Sequence, residues 1–192
     1  EKARRVVVLG GGMVGIKTAT ALRRLPNPPE VTLVEQEDHI LPLRLDSEGA
    51  GIVQTALESD GIRIIANGAV RKAVRKPGRA ATLFLTGNRT LTADLIIAAI
   101  GVRPNTEFLK GSGIKTRSGG VLVDDRLRTS ASDVYAAGDV AECRDAVTGR
   151  SFVSALWTNA VEMGRLAGLN MAGGKSRSHD FLPVMNATEI AG

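Results

Sequence analysis

The spacing of apolar residues changes twice between residues 5 and 35. Val6-Val7-Val8-Leu9 is continuously apolar, as in a strand buried on both faces of a parallel sheet. After the glycines that follow, apolar residues recur at helical spacing as far as Pro26, and Val31 to Val34 is again strand-like. The residues at helical spacing are Ala19, Ala21, Leu22 and Leu25. Residues 5–35 are therefore predicted to form a β-α-β unit.

A second helix and a third strand are predicted next. Asp46 or Ser47 can cap a helix over residues 46–60, and Gly61 ends it. The strand that follows is Ile62 to Ile65. The helix face predicted to be buried consists of Ile52, Val53, Ala56 and Leu57.

Three alternating segments then replace one crossover helix. They cover residues 69–76, 81–86 and 89–93, and polar and apolar side chains alternate along each. The dipeptides between them, Pro77-Gly78 and Gly87-Asn88, are typical of hairpin turns. The sequence therefore predicts a three-stranded antiparallel meander.

The rest of the chain returns to α/β alternation. Residues 95–100 form a continuous apolar run, predicted to be a central strand buried on both faces and ending at Gly101. A short helix is predicted over residues 104–110, with Pro104 at its start. Further on, the predicted elements are a strand at Val121-Leu122-Val123, a strand that ends in Gly138-Asp139, a helix over residues 152–171 with Leu156, Ala160, Met163, Leu166 and Ala167 on one side, and the beginning of a strand after Phe181.

Composition and charge exclude several classes of protein. The 192 residues are 43% hydrophobic and carry a net charge of +5, which is typical of a globular domain. Five basic residues and no acids lie between Arg71 and Arg79, which raises nucleic-acid binding as one hypothesis. Only 3% of residues are aromatic and no base-stacking motif accompanies the charge, so a solvated basic hairpin is the preferred interpretation.

The length of the apolar runs, the N-terminal sequence and the cysteine content together predict a cytoplasmic protein. No apolar run approaches the roughly 20 residues needed to span a bilayer, so no membrane association is expected. The N-terminus lacks the pattern of a cleavable leader. The single cysteine, Cys143, cannot form an internal disulfide, which agrees with a reducing compartment. His39 has no second metal-type residue at a ligand spacing, so no metal site is predicted.

The glycine-rich turn after the first strand predicts a dinucleotide site. Gly10 allows the tight turn, Gly12 lets a pyrophosphate approach the backbone, and Gly15 lets the helix lie close to the strand. The pyrophosphate would rest on the N–H groups at the start of the helix, next to Met13 and Val14. Glu35 ends the second strand about 20 residues later, where an acid binds the adenosine ribose of NAD.

Two alternatives stay open for these residues: a dinucleotide site, or an ordinary strand–turn–helix with an exposed Glu35. The second stays open because glycine-rich turns are common. If the site is real, Glu35 together with Glu37 and Asp38 predicts NADH over NADPH, because carboxylates repel a 2′-phosphate. Gly101 at the end of a later strand would let a ligand approach the backbone there.

Four motifs together resemble the pyridine nucleotide-disulfide oxidoreductase family. They are GGGMVG at 10–15, Glu35 closing VTLVE, AIGVRPN at 99–105, and TSASDVYAAGDVAE at 129–142. The resemblance implies a Rossmann-type NAD-binding domain with a three-stranded meander, followed by the C-terminal half of an FAD-binding domain. It also implies that FAD is a cofactor of the intact parent protein. The FAD residues it implies are Gly138, Asp139, Val140 and Ala141, with Asp139 on the ribityl chain.

The resemblance also implies domain limits and a partial chain. The NAD domain would span residues 1–117, part of an FAD domain residues 118–180, and the start of an interface domain residues 181–192. The chain by itself is then expected neither to retain FAD nor to turn over. The catalytic residues and the electron acceptor cannot be assigned from the sequence. Cys143 lies outside the position of the family's redox cysteine.

Two further expectations come from a residue that differs from the family pattern and from apolar residues near the last motif. Lys17 stands where family members usually carry Glu near the nicotinamide, and either faces solvent or places a cation there. The apolar residues around the last motif, Val134, Tyr135, Leu156, Trp157 and Met163, are expected to be covered by the NAD domain or by a second copy, with a homodimer favoured. The competing function is a non-catalytic NAD-sensing module, which would not need the Gly138-Asp139 motif.

Overall fold

The computed structural model describes residues 3–145, 149–173, 177–179 and 190. These residues form two compact units, which divide between Gly101 and Val102. In chain order the helices and strands are β1 (Arg5–Leu9), α1 (Met13–Arg23), β2 (Glu30–Val34), α2 (Ser47–Ser59), β3 (Ile62–Ile65), β4 (Val70–Val74), β5 (Ala81–Leu85), β6 (Thr90–Ala93), β7 (Leu95–Ala98), β8 (Thr116–Arg117), β9 (Gly120–Leu122), β10 (Ala141–Arg144), β11 (Ser151–Val153) and α3 (Trp157–Met171).

The first unit is built on a parallel sheet with strand order β3-β2-β1-β7. Side chains of β1 alternate between the two faces, as strand geometry requires. Val6 and Val8 pack with α1 and α2, while Val7 packs with Leu83 and Ala93 of the antiparallel sheet β4-β5-β6. The unit therefore has three layers, and the predicted α/β class and three-stranded meander are confirmed.

Local signals predicted the helix of residues 46–60, and Leu57 and Val53 of its buried face, but not the position of Ile52. Asp46 caps α2 by accepting a hydrogen bond from the N–H of Gly49 at 2.9 Å. Ala50 and Leu57 are the buried residues of α2, whereas Ile52 is 71% exposed. The prediction for Ile52 was wrong because side-chain size does not fix which helix face meets the sheet.

The prediction of a central strand at residues 95–100 was also wrong in its placement. Among the described residues β7 pairs only with β1, so it is an edge strand of the parallel sheet. Leu95 is 43% exposed and Ile100, beyond the end of β7, is 76% exposed. An apolar run records the hydrophobicity of a strand, whereas its order in the sheet depends on pairing with distant residues.

The second unit contains a small mixed sheet with order β11-β10-β9-β8. Helix α3 covers one side of it, where Leu127, Cys143, Met163 and Leu166 are buried together. The predicted helix over residues 152–171 is shorter at its start, because Phe152 lies in β11 and pairs with Cys143. Ala160, predicted on the inner side of this helix, is only partly buried, and Asn159 is buried instead.

Two other predictions for this unit need correction. Only residues 107–109 of the predicted helix over 104–110 are helical, as one 3-10 turn. Residues 134–137 are not a strand; Tyr135 makes a single bridge to Arg128, and the strand begins after the Gly138-Asp139 pair instead. A strand needs a continuous ladder, which the described residues do not supply at this segment.

The apolar residues around the last motif differ in their exposure. Met163 is 1% exposed because α3 turns it toward its own sheet. Trp157 is 81% exposed and Val134 is 39% exposed, so the described residues leave Trp157 largely open and cover Val134 only in part. Their covering by a second copy stays a prediction, as do the three domain limits. The start of the interface domain, residues 181–192, lies outside the described residues except for Ile190.

An ion pair ties the ends of β1 and β7 together and predicts acid sensitivity. Asp94 accepts hydrogen bonds from the N–H of Arg5 at 2.9 Å and from its guanidinium at 2.9 Å. The Arg5 side chain is the main reason that the pKa of Asp94 falls to about 2. A carboxyl group with a lowered pKa stabilises the fold above its unfolded-state value and loses that contribution as the pH falls toward about 2.

The Asp94→Asn variant is therefore expected to unfold more readily than the wild type at neutral pH. The difference in unfolding free energy between the two proteins should shrink as the pH falls from about 4 toward about 2. Urea titrations at several pH values measure this difference. A constant difference over that range would contradict the assignment of the lowered pKa to the Arg5 pair.

Candidate functional site

The glycine turn after β1 is closed by contacts that exclude side chains. Gly10 has φ of +102°, and a Cβ added there would lie 2.3 Å from the carbonyl oxygen of Ala99. A Cβ on Gly15 would lie 1.9 Å from the carbonyl oxygen of Gly10. The start of α1 therefore packs directly on the turn, as the sequence predicts, and only glycine fits at these two positions.

Gly12 lies at the N-cap of α1 and faces open space. No described atom lies within 4 Å of a Cβ built on it, in contrast to Gly10 and Gly15. The first turn of α1, Met13-Val14-Gly15, contains no carboxylate. The first N–H groups of a helix lack partners within the helix and carry partial positive charge. The arrangement can accept an anion such as a pyrophosphate.

Glu35 is 7% exposed and is held against the glycine turn. Its Oε2 accepts a hydrogen bond from the N–H of Gly11 at 2.6 Å. Its Oε1 accepts one from the N–H of Glu37 at 3.0 Å. The alternative of an exposed Glu35 is therefore wrong. The carboxylate lies at the carboxyl end of β2, beside the turn that ends β1.

The role of Gly11 was missed by the sequence motif, which assigns roles to the first, second and third glycines of its pattern. A Cβ on Gly11 would lie 3.0 Å from Glu35 and 3.0 Å from Cγ2 of Ile40. Gly11 therefore contacts both Glu35, at the end of β2, and the loop that follows, while Gly10 contacts β2 through a hydrogen bond from its N–H to the carbonyl oxygen of Val34. The motif requires glycine at positions 10 and 12 but not at position 11, so the additional glycine at position 11 was the available signal.

Gly101 follows β7, which pairs with β1 in parallel, and Lys17 lies on α1. Gly101 has φ of +94°, is exposed, and has no described atom within 4 Å of a Cβ built on it. Lys17 is exposed on α1, as is Val14 on the preceding turn. The structure joins Gly10, Gly12, Gly15 and Glu35 into one site, with Gly10 also against Ala99.

The second set of predicted residues lies in the other unit. Gly138 has φ of +75° and begins a 3-10 turn over residues 138–140. A Cβ on Gly138 would lie 3.4 Å from Cβ of Ala160, so this turn packs on α3. Asp139 is exposed, while Ala141 is fully buried at the start of β10. The exposed carboxylate of Asp139 is free to meet a polar ligand such as a hydroxylated chain.

Cys143 does not have the properties of a reactive thiol. The side chain is 1% exposed, and burial raises the pKa of the thiol to about 12. A thiol with so high a pKa is protonated at neutral pH and is a poor nucleophile.

No group of three potential metal ligands occurs in the part of the chain that the structure describes. Within that part, no helix is long and apolar enough to cross a membrane.

Comparison with known proteins gives a family and solved relatives. The family model described as pyridine nucleotide-disulphide oxidoreductase matches residues 1–164. An NADH oxidase of Methanocaldococcus jannaschii is 34% identical over 184 residues, which is 96% of this chain and 40% of that protein. This chain therefore spans less than half the length of that curated relative.

Two solved structures extend the comparison. An FAD-dependent pyridine nucleotide-disulphide oxidoreductase from Desulfovibrio vulgaris is 30% identical with a TM-score of 0.86, covering 93% of this chain and 44% of that one. A water-forming NADH oxidase from Lactobacillus brevis, bound to NADH, is 27% identical with a TM-score of 0.81, covering 88% of this chain and 37% of that one.

Proposed function

The chain belongs to the pyridine nucleotide-disulphide oxidoreductase family, and on that premise we propose that residues 1–117 bind NAD(H) at the glycine turn. In this proposal the parent enzyme takes hydride from NADH onto FAD and passes electrons to an acceptor that is still to be identified. The family resemblance carried by the four motifs is confirmed. Relatives described as NADH oxidases and as FAD-dependent support both cofactors.

The open space at Gly12 is the observation that carries the nucleotide proposal. Gly10 and Gly15 are required by the fold, since added Cβ atoms would overlap backbone atoms. Gly12 has no such contact, so no described atom excludes a side chain there, and the space at the start of α1 is open to a ligand. A pyrophosphate that approaches the backbone at the N-terminus of α1 needs this open space.

Each residue of this site has a definite task in the proposal. The N–H groups at the start of α1 bind the pyrophosphate, and Glu35 accepts hydrogen bonds from the adenosine ribose hydroxyls. Glu35 is pre-positioned for this because Gly11 and Glu37 hold both its oxygens. In the second unit, Asp139 would accept hydrogen bonds from the ribityl hydroxyls of FAD. Bound FAD supplies the electron-accepting chemistry, while the protein supplies orientation.

The Glu35→Gln variant tests the proposal. NADH is expected to bind about tenfold to a hundredfold more weakly, because a charge-assisted hydrogen bond to the ribose is lost. The preference for NADH over NADPH should narrow, because repulsion of the 2′-phosphate is removed. Isothermal titration of the chain with both nucleotides measures these changes.

Glu37→Gln is the matched control, because Glu37 is an exposed carboxylate only two residues away. It should leave NADH affinity within about twofold of the wild type. Wild-type protein that binds NADPH as tightly as NADH would contradict the assignment of Glu35. Wild-type protein that binds neither nucleotide would defeat the proposed function itself.

A further inference from the structure

The loop from Asp38 to Leu45 forms a wall beside the glycine turn. The N–H of Leu41 donates to the carbonyl oxygen of Gly11 at 2.9 Å. Ile40 is fully buried, and a Cβ on Gly11 would lie 3.0 Å from its Cγ2. A displacement of this loop therefore displaces the middle of the turn on which the nucleotide is proposed to lie.

Leu41 holds a backbone conformation that needs support from its neighbours. Its φ is +54° although it is a leucine, and it is 3% exposed. Left-handed backbone at a bulky residue persists only where surrounding contacts maintain it. Its carbonyl accepts hydrogen bonds from the N–H groups of Arg44 at 2.8 Å and Leu45 at 3.0 Å. The conformation of Leu41 thus depends on how the end of the loop is held.

His39 joins the two ends of this loop. Its Nδ1 lies 2.5 Å from Oδ1 of Asp38, and its Nε2 lies 3.1 Å from the carbonyl oxygen of Leu45. A carboxylate and a carbonyl only accept hydrogen bonds, so both ring nitrogens must carry a proton to make both bonds. Neutral imidazole carries one such proton and imidazolium carries two. The closed loop therefore fits the protonated ring.

We propose that His39 is a positioning residue of the nucleotide site, whose protonated ring holds the 38–45 loop against Gly11 and strengthens binding of the adenosine half of NAD(H). The inference rests on the proposed function. Contact passes from His39 through Leu45 and Leu41 to Gly11, and Gly11 also holds Glu35. When the ring loses its proton, one end of the loop is released and this support weakens.

The charges around His39 favour its protonated form. The Leu45 carbonyl and then Asp38 raise the pKa of His39 above its usual value, against the opposing effect of burial. The negative charge of Asp46, just before α2, raises the pKa of His39 further. Arg44, which precedes Leu45 in the chain, is exposed. The contribution to binding is therefore complete at low pH and is lost as the pH rises through the raised pKa.

The test is isothermal titration of the 192-residue chain with NAD⁺, AMP and nicotinamide mononucleotide at several pH values. Between about pH 7, above which the phosphate groups of AMP and nicotinamide mononucleotide are largely ionised, and about pH 9, the affinities for NAD⁺ and AMP should fall about threefold to tenfold. Binding of nicotinamide mononucleotide, which lacks the adenosine half, should show no such change. His39→Gln, which has an amide in place of the titrating ring, should bind NAD⁺ weakly at every pH.

The chain has two histidines, so His179→Gln is the matched control and should keep the wild-type pH dependence. By reciprocity, NAD⁺ must raise the pKa of His39 if protonation of His39 favours NAD⁺, and an NMR titration of the wild-type ring measures this. An unchanged pKa, or the same pH dependence in His39→Gln, would overturn the inference. A chain that binds none of the three ligands at any pH would instead overturn the proposed function.

Discussion

Replacement of Gly15 with alanine is expected to destabilise the chain by about 3 kcal/mol or more. The added Cβ would lie 1.9 Å from the carbonyl oxygen of Gly10, and both atoms are fixed by backbone. No rotation of a side chain can relieve this overlap, so α1 must move away from β1. That movement would open the core in which Ile16 and Ala19 pack on the sheet. Urea unfolding followed by circular dichroism measures the loss.

Gly51→Ala is the matched control for this prediction. Gly51 lies in α2, and no described atom lies within 4 Å of a Cβ built on it. Alanine at this exposed helical position should stabilise the chain by roughly 0.5–1 kcal/mol, because glycine is the poorer helix former. The two substitutions add the same methyl group, so opposite signs would isolate the contact with Gly10. Equal effects would show that the close packing of α1 on the turn is not maintained in solution.

Replacement of Gly12 with alanine is expected to weaken NADH binding by about tenfold to a hundredfold and to lower stability by only about 1 kcal/mol, because alanine is a poorer N-cap residue than glycine. Gly12 has φ of −77°, which alanine adopts without strain, and its Cβ would enter open space. The same methyl group would occupy the surface on which the pyrophosphate is proposed to rest, and such an overlap costs about 1–3 kcal/mol. Isothermal titration together with thermal unfolding separates the two effects.

The contrast between Gly12 and Gly15 makes the prediction specific. Loss of binding in Gly12→Ala, with a fall in unfolding temperature much smaller than that of Gly15→Ala, would support a ligand at this turn. Unaltered binding in the folded Gly12→Ala protein would contradict the placement of the pyrophosphate. A fall in unfolding temperature as large as that of Gly15→Ala would show that the space at Gly12 is not open in solution.

Much of the first unit, residues 3–101, could be predicted from local sequence. The apolar run of β1, the glycines after it and the position of Glu35 each depend on backbone geometry over a few residues. Asp46 was identified as a possible cap because its side chain reaches an N–H only three residues away. Such short-range relations are present in the chain before any tertiary contact forms.

Other features could not be predicted because they depend on residues far apart in the chain. Leu95 was expected inside the sheet, yet β7 is an edge strand, since its hydrophobicity does not encode the number of its neighbours. Ile52 was expected in the core, yet the smaller Ala50 is buried in its place. Helical spacing defines several possible stripes, and packing selects one of them.

The sequence by itself determined the α/β class, the meander, the glycine turn and the family, because periodicity and turn chemistry act over short stretches of chain. Only the tertiary structure decided that Glu35 is buried against Gly11 and that the loop carrying His39 is bonded to the turn, through the N–H of Leu41 and the carbonyl oxygen of Gly11. Gly11 and Glu35 meet because parallel pairing of β1 with β2 aligns their carboxyl ends. Hydrogen bonds across such separations form only when the sheet and its loops have packed, so no local pattern in the sequence records them.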